Sequence, residues 1–536
     1  MKPIGQKLAK AEAYLRAGNL TNAKRTYRDI LSHHKYDPTA LNGLGIIAHR
    51  HQDYAAAIRY FEEATRYCPT QVSFLCNLSA ASACAGRTDK AVDAMRLAIN
   101  QQPNSAPLHH TLGTLLSLDN KPTEAFAFLE RAVTLDPNKP QFRIDLGVAF
   151  QQQNELDLAL NCYQTAIGLS RQDPRAHYNS GTVFKQLGRH NEAIAAYRRT
   201  IELQPKNTQV YRQLGTLYLE TKCATEAVSF FQQACRLQPN QPTLYAQLGR
   251  AMHLAGDLDN AISVFRKSID LDPLAISPQL SLARLLLVTG DSKSVLQLCE
   301  HILIRNPTDP SALSFKSIAL LQSNQYKKAK ELTALDSSIR LAHIRVPNGY
   351  RDISAFNAIL AEHIYDHPSL KKDPYNRSCH ASEQTDDLFL SPTQPVRQLE
   401  AAIHEAARSY MANLPIDISH PYLAGLSLAN TRLCAWANVM GPVGYQSPHI
   451  HPTSKLSGVY YVKVPAHLDP NVPHAGHIEF GQPPDDCQIN TMPDVRLIRP
   501  TQGALLLFPP YMYHRTVPTA SEEHRISIAF DFELNI

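Results

Sequence analysis

Residues 447–465 read SPHIHPTSKLSGVYYVKVP, residues 475–480 read AGHIEF, and residues 499–534 read RPTQGALLLFPPYMYHRTVPTASEEHRISIAFDFEL. Apolar and β-branched runs broken by Pro and Gly predict successive β-strands. Residues two apart on a strand face the same side, so His449 and His451 are expected to converge on one point, with His514 returning from a distant strand. Imidazoles gathered in this way suit a metal ion. The last strand follows the same alternation: Arg525 and Ser527 take one face, and Ile526, Ile528 and Phe530 the other. An Arg fork beside a hydroxyl suits a small carboxylate.

The chain has 536 residues, too many for one ordinary core, so at least two domains are expected. A hydrophobic content of 44% with 19% charged residues fits a folded chain. The net charge is only +5 and there is no Lys/Arg tract, which argues against nucleic acid or an anionic membrane as partner. The ten cysteines are dispersed without a CxxC pair, so free thiols in a reducing compartment are expected. The start, MKPIGQKLAKAEAYLRAG, lacks the apolar run of a signal peptide, and no segment approaches the roughly 18 apolar residues of a membrane span. A cytoplasmic location is the expectation.

Upstream of the β-rich text lies a strict period. Pro69, Pro103, Pro137, Pro205, Pro239, Pro273 and Pro307 fall on a 34-residue grid, with Arg171 in the one slot that lacks Pro. Small residues keep the same register, as in Gly45, Gly113, Gly147, Gly181, Gly215 and Gly249, and in Ala57, Ala91, Ala125, Ala159, Ala193, Ala227 and Ala261. Small side chains at fixed places let two antiparallel helices approach, and a Pro after the second helix stops it. Each period therefore reads as a helical hairpin.

This pattern resembles the tetratricopeptide repeat over residues 6–341, about nine to ten units with atypical terminal units as caps. The resemblance implies an all-α solenoid that docks a protein or peptide on its concave face. Asn77, Thr111, Asp145, Asn179, Gln213, Gln247 and Ser281 recur at one position of the first helix and could bond an extended peptide; the row looks like the amide ladder of the O-GlcNAc transferase superhelix. Residues 342–426 read as a connecting segment with helices near 354–366 and 396–411, expected to pack outside the β-rich part.

Residues 427–536 resemble the double-stranded β-helix (jelly-roll) core of the Fe(II)/2-oxoglutarate-dependent oxygenases. The closest likeness is to the branch fused behind tetratricopeptide repeats. The family order of a His-x-Asp/Glu pair, a Tyr-bearing strand, a distal His and an Arg-x-Ser pair is met by His449-Ile-His451, Tyr460 and Tyr461, His514, and Arg525-Ile-Ser527. By that resemblance Fe(II) would be held by His449, His451 and His514. Arg525 and Ser527 would hold 2-oxoglutarate, with Tyr461 (or Tyr460), Asn438 and Tyr445 in the same pocket. The superfamily usually has a carboxylate where His451 stands. Either His451 is the third ligand, or Asp469 or Glu479 supplies it. Trp436 reads as core, and His467, His474, His477 and His524 as ordinary histidines.

Two functions stay open. One is an iron- and 2-oxoglutarate-dependent hydroxylase acting on a protein or peptide recruited by the repeats, or on a small molecule. The other is a docking scaffold whose β-helix domain has lost turnover. A sugar or sulfate transferase lacks a Gly-rich phosphate-cradling loop and ranks last.

Overall fold

The computed structural model describes residues 4–372, 379–414, 420–468, 471–489, 491–519 and 521–535. It divides into two compact units, Met1–Pro239 and Asn240–Ile536. The chain is a helical repeat solenoid followed by a strand-rich region.

In the first unit the described residues form seven helix pairs, for example Pro140–Gln152 with Leu156–Leu169 and Pro174–Gln186 with His190–Leu203. The second helix of a pair ends two residues before the grid position, as Leu135 does before Pro137 and Leu203 before Pro205. The slot held by Arg171 behaves alike: the helix ends at Leu169, and Asp173 then caps the next one at Arg175 N, 3.0 Å away, with Pro174 at its first turn. The glycines of the grid admit a large side chain sixteen residues on, an aromatic ring at five of the six and Leu129 at Gly113. A Cβ on Gly147 would stand 2.6 Å from Tyr163 Cε1, and one on Gly45 would stand 2.5 Å from Phe61 Cε1.

The second unit opens with three more helix pairs, Pro242–Leu254 with Leu258–Leu271, Ile276–Thr289 with Ser292–Arg305, and Pro310–Gln322 with Tyr326–Thr333. The sequence boundary at residues 341/342 falls inside this unit. Among the described residues ten strands follow: β1 (Arg340–His343), β2 (Lys371–Lys372), β3 (Cys379–Gln384), β4 (Thr431–His449), β5 (Ser454–Lys463), β6 (Ile478–Phe480), β7 (Arg496–Ile498), β8 (Ala504–Phe508), β9 (His514–Thr516) and β10 (Arg525–Leu534). All pair antiparallel in one curled sheet of order β1-β8-β5-β10-β4-β9-β6-β7, with β3 joining β4 to β2.

Strand β10 lies between β4 and β5 and divides its side chains by parity. Ile526, Ile528, Phe530 and Phe532 enter the main core, where helices Ile353–Tyr365 and Gln394–Ala412 cover the sheet with Phe356, Leu360, Leu399 and Ile403. Both helices lie within two residues of the spans read from sequence. The last helix pair and the short segment after it, Leu335–Ser338, are bonded to the strand-rich region. Tyr511 Oη donates to Leu332 O at 2.9 Å, Tyr410 Oη to Ser338 O at 2.7 Å, Arg496 Nη1 to Leu335 O at 2.8 Å and Gln322 Nε2 to Gln488 O at 3.0 Å. Arg284 on helix Ile276–Thr289 reaches Asp486 at 2.5 Å.

Gly458 on β5 faces backbone: a Cβ there would stand 2.5 Å from Leu506 O and against the Phe530 ring. Gly458→Ala is therefore expected to destabilise the second unit by about 2 kcal/mol. Urea unfolding followed through Trp436, the one tryptophan of the chain, checks this without interference from the first unit.

Candidate metal and carboxylate site

A cavity of about 370 Å³ opens on the face of the sheet opposite the core. The other parity of β10 lines it with Arg525, Ser527, Ala529 and Asp531. Three imidazoles meet at its wall. His449 ends β4 and pairs in register with His514, which begins β9. Their ring centroids lie 4.2 Å apart, and those of His451 lie 5.4 Å from His449 and 5.1 Å from His514. One nitrogen from each ring lies within 4.8 Å of the others.

The outer nitrogen of every ring is engaged. His449 Nδ1 lies 2.9 Å from Ser447 O and His514 Nδ1 3.0 Å from Met512 O, so each Nδ1–H donates to a carbonyl and leaves the Nε2 lone pair free. His451 Nδ1 faces Asp531, at 2.8 Å from Oδ1 and 2.7 Å from Oδ2, while His451 Nε2 is buried without a hydrogen-bond partner. An orphaned buried acceptor beside two others is costly in a closed fold and fits a metal ion that takes all three. Burial, followed by the neighbouring His451, pushes His449 down to about 4; burial likewise holds His514 well below the usual imidazole range. Both are thus neutral at pH 7, as ligands must be.

The strand geometry expected for His451 is not what positions it. β4 ends at His449, and His451 stands in the following turn with its N–H on Pro510 O at 2.9 Å. Pro452 explains the stop, since Pro offers no ladder donor and restricts the residue before it. Of the alternative ligands, Glu479 is turned away on β6 and holds Arg515 through two bonds of 3.1 Å. Phe480, its neighbour, is the residue that stacks on His514. Asp469 lies outside the described residues.

The opposite wall is a row across three strands. Ser527 on β10 is level with Asn438 on β4 and Tyr461 on β5, all buried and all lining the cavity. Arg525 is buried, its guanidinium 5.0 Å from the Tyr461 ring centroid, and Nη1 donates to Gly476 O at 3.1 Å. Its Nε has no acceptor, and burial lowers its basicity below the ordinary value. A buried guanidinium with a donor left over fits a carboxylate ligand.

Tyr445 does not join this row. It is 38% exposed, stacks on His380 with centroids 4.6 Å apart, and does not line the cavity. Tyr460 points to the core, donating to Asn357 Oδ1 at 2.7 Å. Trp436, read as core from sequence, is half-buried in the cavity wall, with its ring 6.0 Å from that of His451. Gln384, Gln446, Thr453 and Thr516 also line the cavity and were not foreseen. The parity of β10 was the signal that would have assigned Asp531 to this face.

Residues 434–531 match the family described as "Putative 2OG-Fe(II) oxygenase". Tetratricopeptide repeat families match residues 8–72, 106–139, 144–208, 179–242 and 242–273. The chain thus carries tetratricopeptide repeats ahead of a region that matches the "Putative 2OG-Fe(II) oxygenase" family. No curated protein matches it. Among solved structures it is similar in part to MamA (27% identity, 30% of this chain and 95% of that one, TM-score 0.29). It is also similar to YrrB, described as a TPR protein with an unusual peptide-binding site (22% identity, 35% and 97%, TM-score 0.31). A third likeness is to a tetratricopeptide repeat protein from Parabacteroides merdae (15% identity, 46% and 98%, TM-score 0.38).

A group whose folded pKa is depressed opposes protonation in the fold, so the unfolded chain binds the proton first. Stability that His449 supports at neutral pH is expected to be lost as pH falls from about 6.5 through about 4 in metal-free protein. Urea midpoints across that window should fall for wild type and fall less for His449→Gln.

Proposed function

We propose that the strand-rich domain is an iron(II)- and 2-oxoglutarate-dependent oxygenase that hydroxylates a protein or peptide delivered by the repeats. The observation that carries this reading is the single cavity in which three free imidazole nitrogens face a buried Arg525 with a spare donor. His449, His451 and His514 would hold Fe(II). Arg525 would pair with the distal carboxylate of 2-oxoglutarate, with Ser527, Tyr461 and Asn438 fixing it from the sides. Iron(II) and 2-oxoglutarate, when bound, would activate dioxygen, which is the oxidant: one of its oxygen atoms would enter a substrate C–H bond and the other would enter succinate as the co-substrate loses CO2. The protein's share is placement: Met512 O and Ser447 O orient two rings, and the sheet walls exclude water from the carboxylate end.

On the substrate side, Asn77, Thr111, Asp145, Asn179 and Gln213 of the first unit, with Gln247 and Ser281 of the second, are all half-buried, which suits contact with an extended chain better than plain solvation. Some are already spoken for: Asn77 donates to Asn42 Oδ1 at 2.9 Å, and Asp145 holds His110 at 2.6 Å. Among the described residues nine cysteines are free thiols, which suits action in the cytoplasm, and no helix is long and apolar enough to cross a membrane.

The test is succinate formation from 2-oxoglutarate by anaerobically iron-loaded protein after oxygen is admitted, with and without a lysate fraction as substrate source. Wild type should form iron-dependent succinate, and His514→Ala and Arg525→Ala should each lose at least about a hundredfold. Wild type that binds neither iron nor 2-oxoglutarate would leave the docking scaffold as the better account.

A further inference from the structure

We infer that Asp531 is the positioning residue of the metal site: it fixes His451 as the third ligand and returns, one hydrogen bond out, the negative charge that a ligand carboxylate would have given. The inference rests on the metal reading of the three histidines. Its own ground is the geometry behind His451. Asp531 is 3% exposed, sits at the fourth pocket-facing position of β10, and spans His451 Nδ1 with both oxygens. Ser457 Oγ on β5 donates to Oδ1 at 2.5 Å and so pins the carboxylate from the other side. The arrangement is a chain from Ser457 through Asp531 to His451, ending at the unpartnered Nε2.

Such a chain has two effects on a ligand. The carboxylate accepts from Nδ1–H, so the tautomer with its lone pair on Nε2 is the one selected, and the ring is held in the orientation that aims Nε2 at the other two histidines. His449 and His514 are backed by neutral carbonyls only. His451 needs the stronger support because it stands in a turn rather than on a ladder, and the strand geometry that fixes His449 does not reach it. Among the residues lining the cavity, Asp531 is the one carboxylate and Arg525 the one guanidinium. They lie six residues apart on one strand, so the anion is committed to the metal end and the cation to the co-substrate end.

The test uses the full chain and Co(II) as probe, titrated into wild type, Asp531→Asn, Asp531→Ala and Ser457→Ala. Two readouts are followed, quenching of Trp436, whose ring lies against His451, and the visible ligand-field spectrum of the bound ion. Asp531→Asn keeps the shape and an acceptor but removes the charge, and should weaken Co(II) about tenfold. Asp531→Ala loses both and should weaken it up to about a hundredfold with an altered spectrum. Far-UV circular dichroism and the urea midpoint identify any variant that fails to fold. In that event Ser457→Ala, which only frees the carboxylate to turn, should still weaken Co(II) by about threefold and shift the spectrum. Folded variants that bind Co(II) as tightly as wild type with an unchanged spectrum would overturn the role of Asp531 while leaving the metal site standing. Wild type that takes up no Co(II) would overturn the metal reading and this inference with it.

Discussion

Strand β10 is hydrogen-bonded along both edges, to β4 through Arg525–Leu534 and to β5 through most of the same length. That double pairing fixes which side chains face which way. With period two, a slip of one residue would bury Arg525 and Asp531 among Phe356 and Ile403 and push Ile526 and Phe530 into the cavity. The hydrophobic core and the polar pocket are therefore one decision made twice on the same ten residues. Gly458 on β5, opposite Phe530, is the place where that decision leaves least room.

Much of this could be read before any coordinates. The repeat was legible because its small residues and prolines recur in register, and the structure adds the partner they serve, a second-helix ring over five of the six grid glycines and Leu129 over Gly113. His449, His514, Asn438, Tyr461, Arg525 and Ser527 were assigned to one site from strand alternation and family resemblance, and they line one cavity. The carry-over of Tyr445 from the family failed where the ladder is irregular. β4 shifts register between Gln446 and His449, and its partner β3 shifts between His380 and Ser382, so Tyr445 faces His380 instead of the pocket. Trp436 was placed on a strand beside the site but read as core, since a lone large aromatic on a strand usually is; the curl of the sheet leaves it half-buried in the cavity wall. The bond from His451 to Asp531 spans eighty residues, and no local pattern announces it.

The electrostatics of the cavity are correspondingly spare. Burial keeps His449 and His514 neutral, Arg525 is held without a protein carboxylate, and Asp531 is satisfied by a ring and a hydroxyl. Leaving Arg525 Nε and His451 Nε2 without partners in a buried wall costs stability that a packed core would not concede. Such unmet groups on opposite sides of one cavity are what a site must carry if its ligands are to be gripped at both ends.

The joint between the last helix pair and the strand-rich region has a consequence for how such chains come into being. Tyr511, three residues before His514, is tied to Leu332, and Arg496, Gln322 and Arg284 complete the seam. A repeat array is commonly regarded as an interchangeable attachment. Here its final pair is bonded to the loops of the strand-rich region: Leu332 O accepts from Tyr511, three residues before His514, and Gln322 donates to Gln488 O. Lineages that shuffle this domain onto new arrays would have to carry that pair along, so the unit of exchange begins within the repeats rather than where the repeat pattern ends.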